Sequence, residues 1–146
     1  MHSFPELSAE FETYFNKRHF PVHPATLYDA AQYILKIGGK RVRPVSVLMA
    51  NELFAEITTD AYSVAAAIEL FHNFSLIHDD IMDKAPLRRG METVHAKFGD
   101  STALLAGDVM LVAAYEQLNN INHSKLHDIL KSVSYTHLTL PTILRV

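Results

Sequence analysis

The sequence contains no cysteine, and this absence excludes several kinds of site. Without thiols the chain has no disulfide framework, no thiolate metal site and no cysteine nucleophile, so any metal must bind to Asp, Glu or His. Glycine and proline are also scarce, with five and six copies among 146 residues. That content is far below that of low-complexity chains, and an apolar fraction of 49% argues against disorder. One compact domain is therefore the expected organisation.

Excess positive charge and long hydrophobic runs are absent as well. Thirteen Lys and Arg against 16 Asp and Glu give a net charge of −3, so no broad nucleic-acid surface is expected. No stretch approaches about 18 apolar residues free of charge, the length typical of a membrane-spanning helix. The first six residues lack the basic segment that precedes the apolar part of a signal peptide. We therefore expect a cytoplasmic protein without a transmembrane segment.

Helical periodicity dominates the sequence and predicts an all-α fold. No alternating run is long enough to indicate a sheet. The segment 60–82 is apolar on most sides, which is typical of a helix at the centre of a bundle. Gly38-Gly39 is the expected stop of the second helix and Ser101 the expected N-cap of the fifth. Residues 87–100 are expected to form a loop with a short helical piece. The predicted helices span residues 7–20, 25–37, 44–55, 60–82 and 101–119, and a weaker sixth begins near Ser124.

Residues 132–146 differ in character from the rest of the chain. They are rich in Thr and β-branched residues, contain no acidic residue and do not continue the helical pattern. We therefore hypothesise that the folded domain spans residues 1–131 and that the tail is foreign to it, as a frameshifted or appended segment would be. Proteolytic protection of residues 135–146 equal to that of the core would contradict this hypothesis.

Three aspartates, Asp79, Asp80 and Asp83, fall within five residues at the end of the most apolar helix. At about 100° per residue, Asp79 and Asp83 lie about 40° apart on one stripe, and Asp80 lies about 100° away from Asp79. Carboxylates embedded in apolar sequence need a cationic partner, because burying them unpaired is costly. Such oxygen ligands favour a hard cation such as Mg²⁺, which proteins commonly share with substrate phosphates. The alternative interpretation is a solvated helix end without a ligand.

Two basic clusters accompany the aspartates. Lys40, Arg41 and Arg43 follow a Gly-Gly turn, where backbone N–H groups and cationic side chains can hold phosphate oxygens together. Arg88 and Arg89 form the second cluster, shortly after the aspartates. A basic turn at a helix end is favourable in any protein through the helix dipole, so the first cluster alone is weakly informative. With the aspartates, the clusters predict a pocket for two phosphorylated groups, one held through metal and one held directly by cations.

One histidine is a candidate ligand in the same region. His72 lies seven residues before Asp79 and about 20° off its stripe, so it could donate a hydrogen bond to the same ligand group. The alternative is a core histidine that bonds a neighbouring helix. His78 points about 100° away from Asp79 and is expected to be structural. Asp108, inside an apolar helix, is expected to be a core or interhelical partner rather than a ligand.

The order and spacing of these motifs resemble those of trans-isoprenyl diphosphate synthases of the polyprenyl synthetase family. A single DDxxD motif is shared with terpene cyclases, whereas the whole series is specific. The resemblance covers about residues 37–115 and implies an isoprenoid-synthase helical bundle. No second DDxxD motif follows, so the chain resembles an amino-terminal portion of about half the family fold. The matching segments are residues 38–44, 69–72, 75–83, 88–90, 93–95 and 107–108.

The resemblance implies a role for each residue around the aspartates. Asp79, Asp80 and Asp83 would bind Mg²⁺ that bridges the diphosphate of an allylic substrate, and Arg88 would contact the same diphosphate. Charge on the departing pyrophosphate would be stabilised there, and the resulting allylic carbocation would be attacked by the double bond of isopentenyl diphosphate. The apolar bundle around the acids would exclude water from that cation.

The resemblance likewise assigns the second diphosphate. Lys40, Arg43, His72 and Arg89 would hold the diphosphate of isopentenyl diphosphate. The function implied is a short-chain prenyltransferase, and family members suggest a homodimer. A class I terpene cyclase needs no second diphosphate site, so these four residues argue against that alternative. A noncatalytic helical subunit or fragment that docks on an intact synthase is the other alternative, favoured by the missing second motif.

Product length in this family is limited by side chains on the helix face below the first aspartate. Phe74 lies five residues before Asp79, and Ser75 lies four residues before it. The resemblance therefore makes Phe74 the candidate floor for a product of farnesyl or geranylgeranyl size.

Overall fold

The computed structural model describes residues 1–17, 19–121, 125–126 and 128, which form a predominantly helical bundle. Leu126 and Asp128 are helical and Lys125 is in a turn, while the other residues of the predicted sixth helix and the proposed tail 132–146 lie outside the described residues. In the described part no helix is both long and apolar enough to cross a membrane. The all-α prediction is confirmed. The elements are α1 (Phe4–Phe15), α2 (Ala25–Ile37), α3 (Val42–Glu52), α4 (Thr59–Asp83), β1 (Leu87–Arg88), β2 (Met91–Glu92), α5 (Val94–Phe98) and α6 (Asp100–Asn119).

Helix α4 is the centre of the bundle and contacts each of the other helices named above. It begins after Thr58, whose hydroxyl accepts a hydrogen bond from the Ala61 N–H. It ends at Lys84, which adopts a left-handed conformation with φ of 51°. Leu70 and Ile77 are fully buried in the core between these ends. The prediction that the most apolar segment occupies the centre is therefore confirmed.

Helix α6 packs closely against α4 through small residues. Ala103, Ala106 and Gly107 are buried on the face that α6 turns to the core. A Cβ atom at Gly107 would overlap the imidazole of His78 on α4. The absence of a side chain at this position therefore sets the distance between the two helices beside the aspartates.

The first helix lies earlier in the chain than the predicted span of residues 7–20. Ser3 and Glu6 form a capping box, in which the Ser3 N–H donates to the Glu6 carboxylate at 2.7 Å. Pro5 suits the first turn because its missing N–H has no helical partner there. The helix ends at Phe15, and Asn16 leaves the helical conformation.

A small antiparallel hairpin occupies part of the segment predicted as a loop. Strand β1 pairs with β2, and the two residues of the turn, Arg89 and Gly90, have φ of 53° and 80°. Positive φ at both central residues is typical of two-residue hairpin turns. Strands of two residues are too short to produce a detectable alternation, so the prediction of no strand was wrong here. The predicted short helical piece is α5.

Two helix starts also differ from the predicted ones. Helix α3 begins at Val42 and ends at Glu52 rather than spanning 44–55, because Arg41 is its N-cap. Helix α6 begins at Asp100, directly after α5. Its N-cap is Gly99 and not Ser101, since the φ of 84° at Gly99 turns the chain between the two helices.

Candidate functional site

The three aspartates lie in the last turns of α4 but face different surroundings. Asp79 and Asp83 are exposed, one helical turn apart, whereas Asp80 is only 3% exposed. Both carboxylate oxygens of Asp80 accept hydrogen bonds of 2.8 Å, from Nε and Nη2 of Arg88. These bonds, despite partial burial, raise the pKa of the Arg88 guanidinium. The open face of the helix end is therefore formed by Asp79 and Asp83.

The chemistry of Asp79 and Asp83 fits a magnesium ion. Mg²⁺ is usually held by one or two carboxylates, and water and substrate phosphate complete its coordination. Among residues 1–17, 19–121, 125–126 and 128, no three His, Asp or Glu side chains converge closely enough to hold a metal. The structure thus brings two of the predicted ligands to one face and gives the third, Asp80, to Arg88.

Non-glycine residues with positive φ lie directly after the aspartates, before α3 and in the hairpin turn. Arg41, Lys84 and Arg89 have φ of 49°, 51° and 53°. Arg41 precedes α3, Lys84 directly follows the last aspartate, and Arg89 is in the hairpin turn. Such conformations cost about 1 to 3 kcal/mol each and persist where surrounding contacts determine them, commonly at functional sites.

A cleft of about 480 Å³ lies between the loop before α3, the middle of α4 and the hairpin turn. It brings together all four residues predicted to hold a second diphosphate, although they come from three separate segments. The cationic side chains among them are exposed, so the cleft carries a concentrated positive charge. The lining residues are Gly39, Lys40, Arg41, Val42, Arg43, Glu69, His72 and Arg89.

Two close contacts explain how the walls of this cleft meet. Nη1 of Arg43 lies 3.2 Å from Nε2 of His72, and because a guanidinium only donates, Nε2 is the acceptor. Across the cleft, a Cβ atom at Gly39 would lie 2.7 Å from Nη1 of Arg89. Glycine at position 39 therefore allows the Arg89 guanidinium to lie against the loop.

The hairpin that carries Arg88 and Arg89 is fixed by hydrogen bonds to its flanks. The carbonyl of Ala85 accepts from the Thr93 hydroxyl at 2.7 Å and from Nε2 of His95 at 2.8 Å. The Tyr33 hydroxyl donates to the carbonyl of Glu92 at 3.0 Å. These bonds close the base of the hairpin, so its two arginines are held in place relative to α4.

An ion cluster forms part of the cleft wall and contains Arg41, which the sequence analysis grouped with Lys40 and Arg43 as a phosphate-binding cation. Nε of Arg41 donates to Glu12 at 2.6 Å, and Nη1 donates to Glu69 at 2.5 Å. The Asn73 amide donates to the carbonyl of Glu69 at 2.7 Å. Burial opposes the charged form of Arg41, but the hydrogen bonds and charges of the two glutamates outweigh it and raise its pKa. The Arg41 side chain is therefore held by glutamates rather than exposed with Lys40 and Arg43, which differs from the predicted phosphate-binding role of Arg41.

The sequence model of the polyprenyl synthetase family matches residues 24–139 of this chain. The chain belongs to the polyprenyl synthetase family. A geranylgeranyl pyrophosphate synthase of Geoglobus acetivorans is 47% identical over 111 residues, which cover 76% of this chain and 34% of that protein. A geranylgeranyl diphosphate synthase of Methanosarcina mazei is 44% identical over 100 residues, covering 68% and 31%. The chain thus spans about one third of the length of these curated relatives.

Solved structures of the family have the same fold. A crystal structure of geranylgeranyl pyrophosphate synthase matches with a TM-score of 0.88 and 43% identity, covering 94% of this chain and 42% of that one. The geranyltranstransferase of Thermotoga maritima matches with a TM-score of 0.85 and 34% identity, covering 94% and 52%. The prediction of a partial isoprenoid-synthase bundle is therefore confirmed.

In this polyprenyl synthetase chain, the two residues predicted to limit product length lie one turn before the aspartates. Phe74 is half-buried, and its ring centroid lies 5.5 Å from that of Phe71 and 4.6 Å from that of His78. Ser75 donates a hydrogen bond of 2.8 Å to the carbonyl of His72. Their control of product length stays a prediction.

His78 lies between α4 and α6 of the synthetase bundle. Its Nε2 is 3.4 Å from the Leu104 carbonyl and 3.7 Å from a carboxylate oxygen of Asp108. These contacts agree with the structural role expected for His78. Asp108 faces His78 across the helices and its side chain is 57% exposed, so of the two expected positions the interhelical one agrees with the structure and the core one does not.

Proposed function

We propose that this chain is part of a short-chain trans-prenyltransferase, which condenses isopentenyl diphosphate with an allylic diphosphate to give farnesyl or geranylgeranyl diphosphate. The observation that carries the proposal is the cleft that gathers Lys40, Arg43, His72 and Arg89 beside an acidic helix end. One diphosphate needs a cationic pocket and the other needs carboxylates for metal, and this surface offers both. The names of the relatives support the same substrate class.

The acidic helix end is proposed as the site of the allylic diphosphate. Asp79 and Asp83 would hold Mg²⁺, as would Asp80 if Arg88 turned toward substrate. When bound, the ion would neutralise charge on the diphosphate oxygens. Arg88 is held by Asp80 with its guanidinium beside this face, so it is positioned to donate hydrogen bonds to the leaving pyrophosphate.

The cleft is proposed as the site of isopentenyl diphosphate. Lys40, Arg43 and Arg89 would bind the phosphate oxygens through charge-assisted hydrogen bonds, which are stronger than neutral ones. His72 accepts a hydrogen bond from Arg43 and would therefore orient that guanidinium. Binding of the two diphosphates at neighbouring sites would place the double bond close to the allylic carbon, which lowers the entropic cost of their reaction.

A noncatalytic subunit is the second candidate, and the surface of α6 favours it. Leu104, Leu105 and Val112 are 49%, 55% and 59% exposed, and adjoining apolar side chains of this kind mark an interaction surface. The same surface is compatible with the homodimer that we propose for the active protein. A terpene cyclase is disfavoured, because it would have no use for the second cationic cleft.

Incubation of an enzyme that contains this chain with geranyl diphosphate, labelled isopentenyl diphosphate and Mg²⁺ tests the proposal. We expect label in a longer prenyl diphosphate, and a variant with Asp79→Asn and Asp83→Asn is expected to lose this incorporation. Release of pyrophosphate without condensation would support a cyclase instead. Absence of both reactions would support a noncatalytic subunit or fragment.

A further inference from the structure

We propose that Glu69 is a positioning residue of the isopentenyl diphosphate cleft and that it acts through Arg41. The inference rests on the proposed function, because it concerns the same cleft. Glu69 makes no direct contact with substrate in this proposal. Its carboxylate fixes the start of α3, where Lys40 and Arg43 lie on either side of Arg41.

The first argument is the contrast between Arg41 and its neighbours at the start of α3. Lys40, Val42 and Arg43 are exposed, whereas the Arg41 side chain is 5% exposed and points into the bundle. Its backbone has φ of 49°, a conformation that non-glycine residues adopt only where other contacts compensate the cost. The ion pairs with α1 and α4 provide that compensation. Arg41 therefore fixes the N-terminus of α3 to helices α1 and α4.

The second argument is that one helix carries both the anchor and a wall of the cleft. Glu69 binds Arg41, and His72, three residues later on α4, accepts from Arg43 at 3.2 Å. Asn73 donates to both the carbonyl and the carboxylate of Glu69, which holds the anchoring side chain in one orientation. Two residues at the start of α3, Arg41 and Arg43, are thereby bonded to two residues three positions apart on α4, Glu69 and His72.

The third argument concerns charge, and it separates positioning from a simple electrostatic effect. Glu69 is a buried anion that lines a cleft proposed to bind an anion. If Glu69 contributed only its charge, neutralising it would strengthen the binding of pyrophosphate. If Glu69 fixes the start of α3, neutralising it weakens the binding of pyrophosphate, because Lys40 and Arg43 lose their common orientation. The two interpretations predict opposite signs.

Calorimetric titration of the chain with inorganic pyrophosphate, in the absence of divalent metal, distinguishes them. For Glu69→Gln we expect affinity to fall by about tenfold, the scale of loss when a partner that orients binding groups is removed. Glu10→Gln is the matched control, because Glu10 is an exposed carboxylate on α1 that accepts from Tyr62 and lies outside the cleft. It is expected to leave the affinity unchanged.

Two further variants keep the result interpretable. Lys40→Ala tests the cleft itself. Combined with Glu69→Gln, it is expected to lower the affinity for pyrophosphate by less than the sum of the two single losses, because both substitutions weaken the same contact of Lys40 with pyrophosphate. Glu69→Asp keeps the charge, so it is expected to retain more affinity for pyrophosphate than Glu69→Gln. It replaces Glu69→Gln in the titration if the glutamine variant does not fold. Thermal unfolding of each variant shows whether a loss of affinity for pyrophosphate is caused by unfolding of the chain.

The outcomes separate this inference from the proposed function. Weaker binding by folded Glu69→Gln, with a less than additive double variant, supports the positioning role. Unchanged or tighter binding by Glu69→Gln, with loss of affinity in Lys40→Ala, overturns the positioning role and leaves the cleft in place. Failure of the unmodified chain to bind pyrophosphate at all overturns the cleft, and both proposals with it.

Discussion

Arg88 forms a two-pronged ion pair with Asp80, in which two hydrogen bonds of 2.8 Å join the guanidinium to both carboxylate oxygens. Asp79 and Asp83, its neighbours in the same motif, are exposed. The three aspartates therefore divide into a pair that faces outward and one residue that holds the hairpin against α4. This division predicts different consequences for substitutions within one motif.

Arg88→Ala is expected to destabilise the chain by roughly 2 to 3 kcal/mol, because it leaves the buried carboxylate of Asp80 without its partner. This lies below the roughly 3 to 5 kcal/mol typical of broken buried pairs, since Arg88 itself is partly exposed. Urea unfolding measures the change. Adding Asp80→Asn to Arg88→Ala is expected to recover part of the loss, because it removes the buried charge. Equal stability of Arg88→Ala and the unmodified chain would contradict the importance of this pair.

Gly107→Ala tests the close approach of α4 and α6. In an isolated helix the change would stabilise by about 1 kcal/mol, because alanine is the better helix former. Here the new methyl group meets the His78 ring, so we expect a net loss of about 1 to 3 kcal/mol in the free energy of unfolding. In the background of His78→Ala the same change is expected to be neutral or stabilising. Stabilisation with His78 present would show that the ring moves away freely.

His19 makes the stability depend on pH. Burial lowers the pKa of His19 below its ordinary value of 6.5, and its Nε2 donates to the Phe15 carbonyl at 2.8 Å. The unfolded chain therefore binds more protons than the folded chain just below pH 6.5. The contribution of His19 to the free energy of unfolding is thus complete above that pH, and it is lost as the pH falls toward the pKa of His19 in the folded chain. Thermal unfolding across this range is expected to be less pH-dependent in His19→Gln. An identical dependence of stability on pH in both proteins would show that His19 is not its source.

Phe74→Ala is expected to lengthen the prenyl product of an active enzyme that contains this chain. Removing the ring opens the helix face one turn before Asp79, beside Phe71 and His78. Chromatography of the dephosphorylated products measures chain length. Phe71→Ala is a suitable comparison, because it removes a neighbouring ring. Products of unchanged length from Phe74→Ala would refute the role of this side chain.

Local signals in the sequence were sufficient for much of the bundle. The predicted bounds of α2 agree with the structure, because Pro24 precedes the helix and Gly38, with φ of 72°, ends it. The spacing of the aspartates correctly separated Asp80 from Asp79 and Asp83, since helix geometry alone fixes those directions.

The sequence alone did not indicate which residues far apart in the chain form pairs. The bond of Arg41 to Glu69 joins residues 28 positions apart, and its partner is chosen by how the loop packs on α4. The hairpin was missed because each strand has only two residues. Both features fix the walls of the cleft, so the sequence indicated residues that line the cleft but not the contacts that hold them in place.

The most direct test of the account is the binding of pyrophosphate with and without Mg²⁺, measured by calorimetry. The account predicts a metal-independent site in the cleft and a metal-dependent site at Asp79 and Asp83. The double variant Asp79→Asn and Asp83→Asn is expected to lose the metal-dependent binding and keep the other, while Asp60→Asn, at the opposite end of α4, is expected to keep both. Metal-dependent binding that survives loss of both carboxylates would contradict the account.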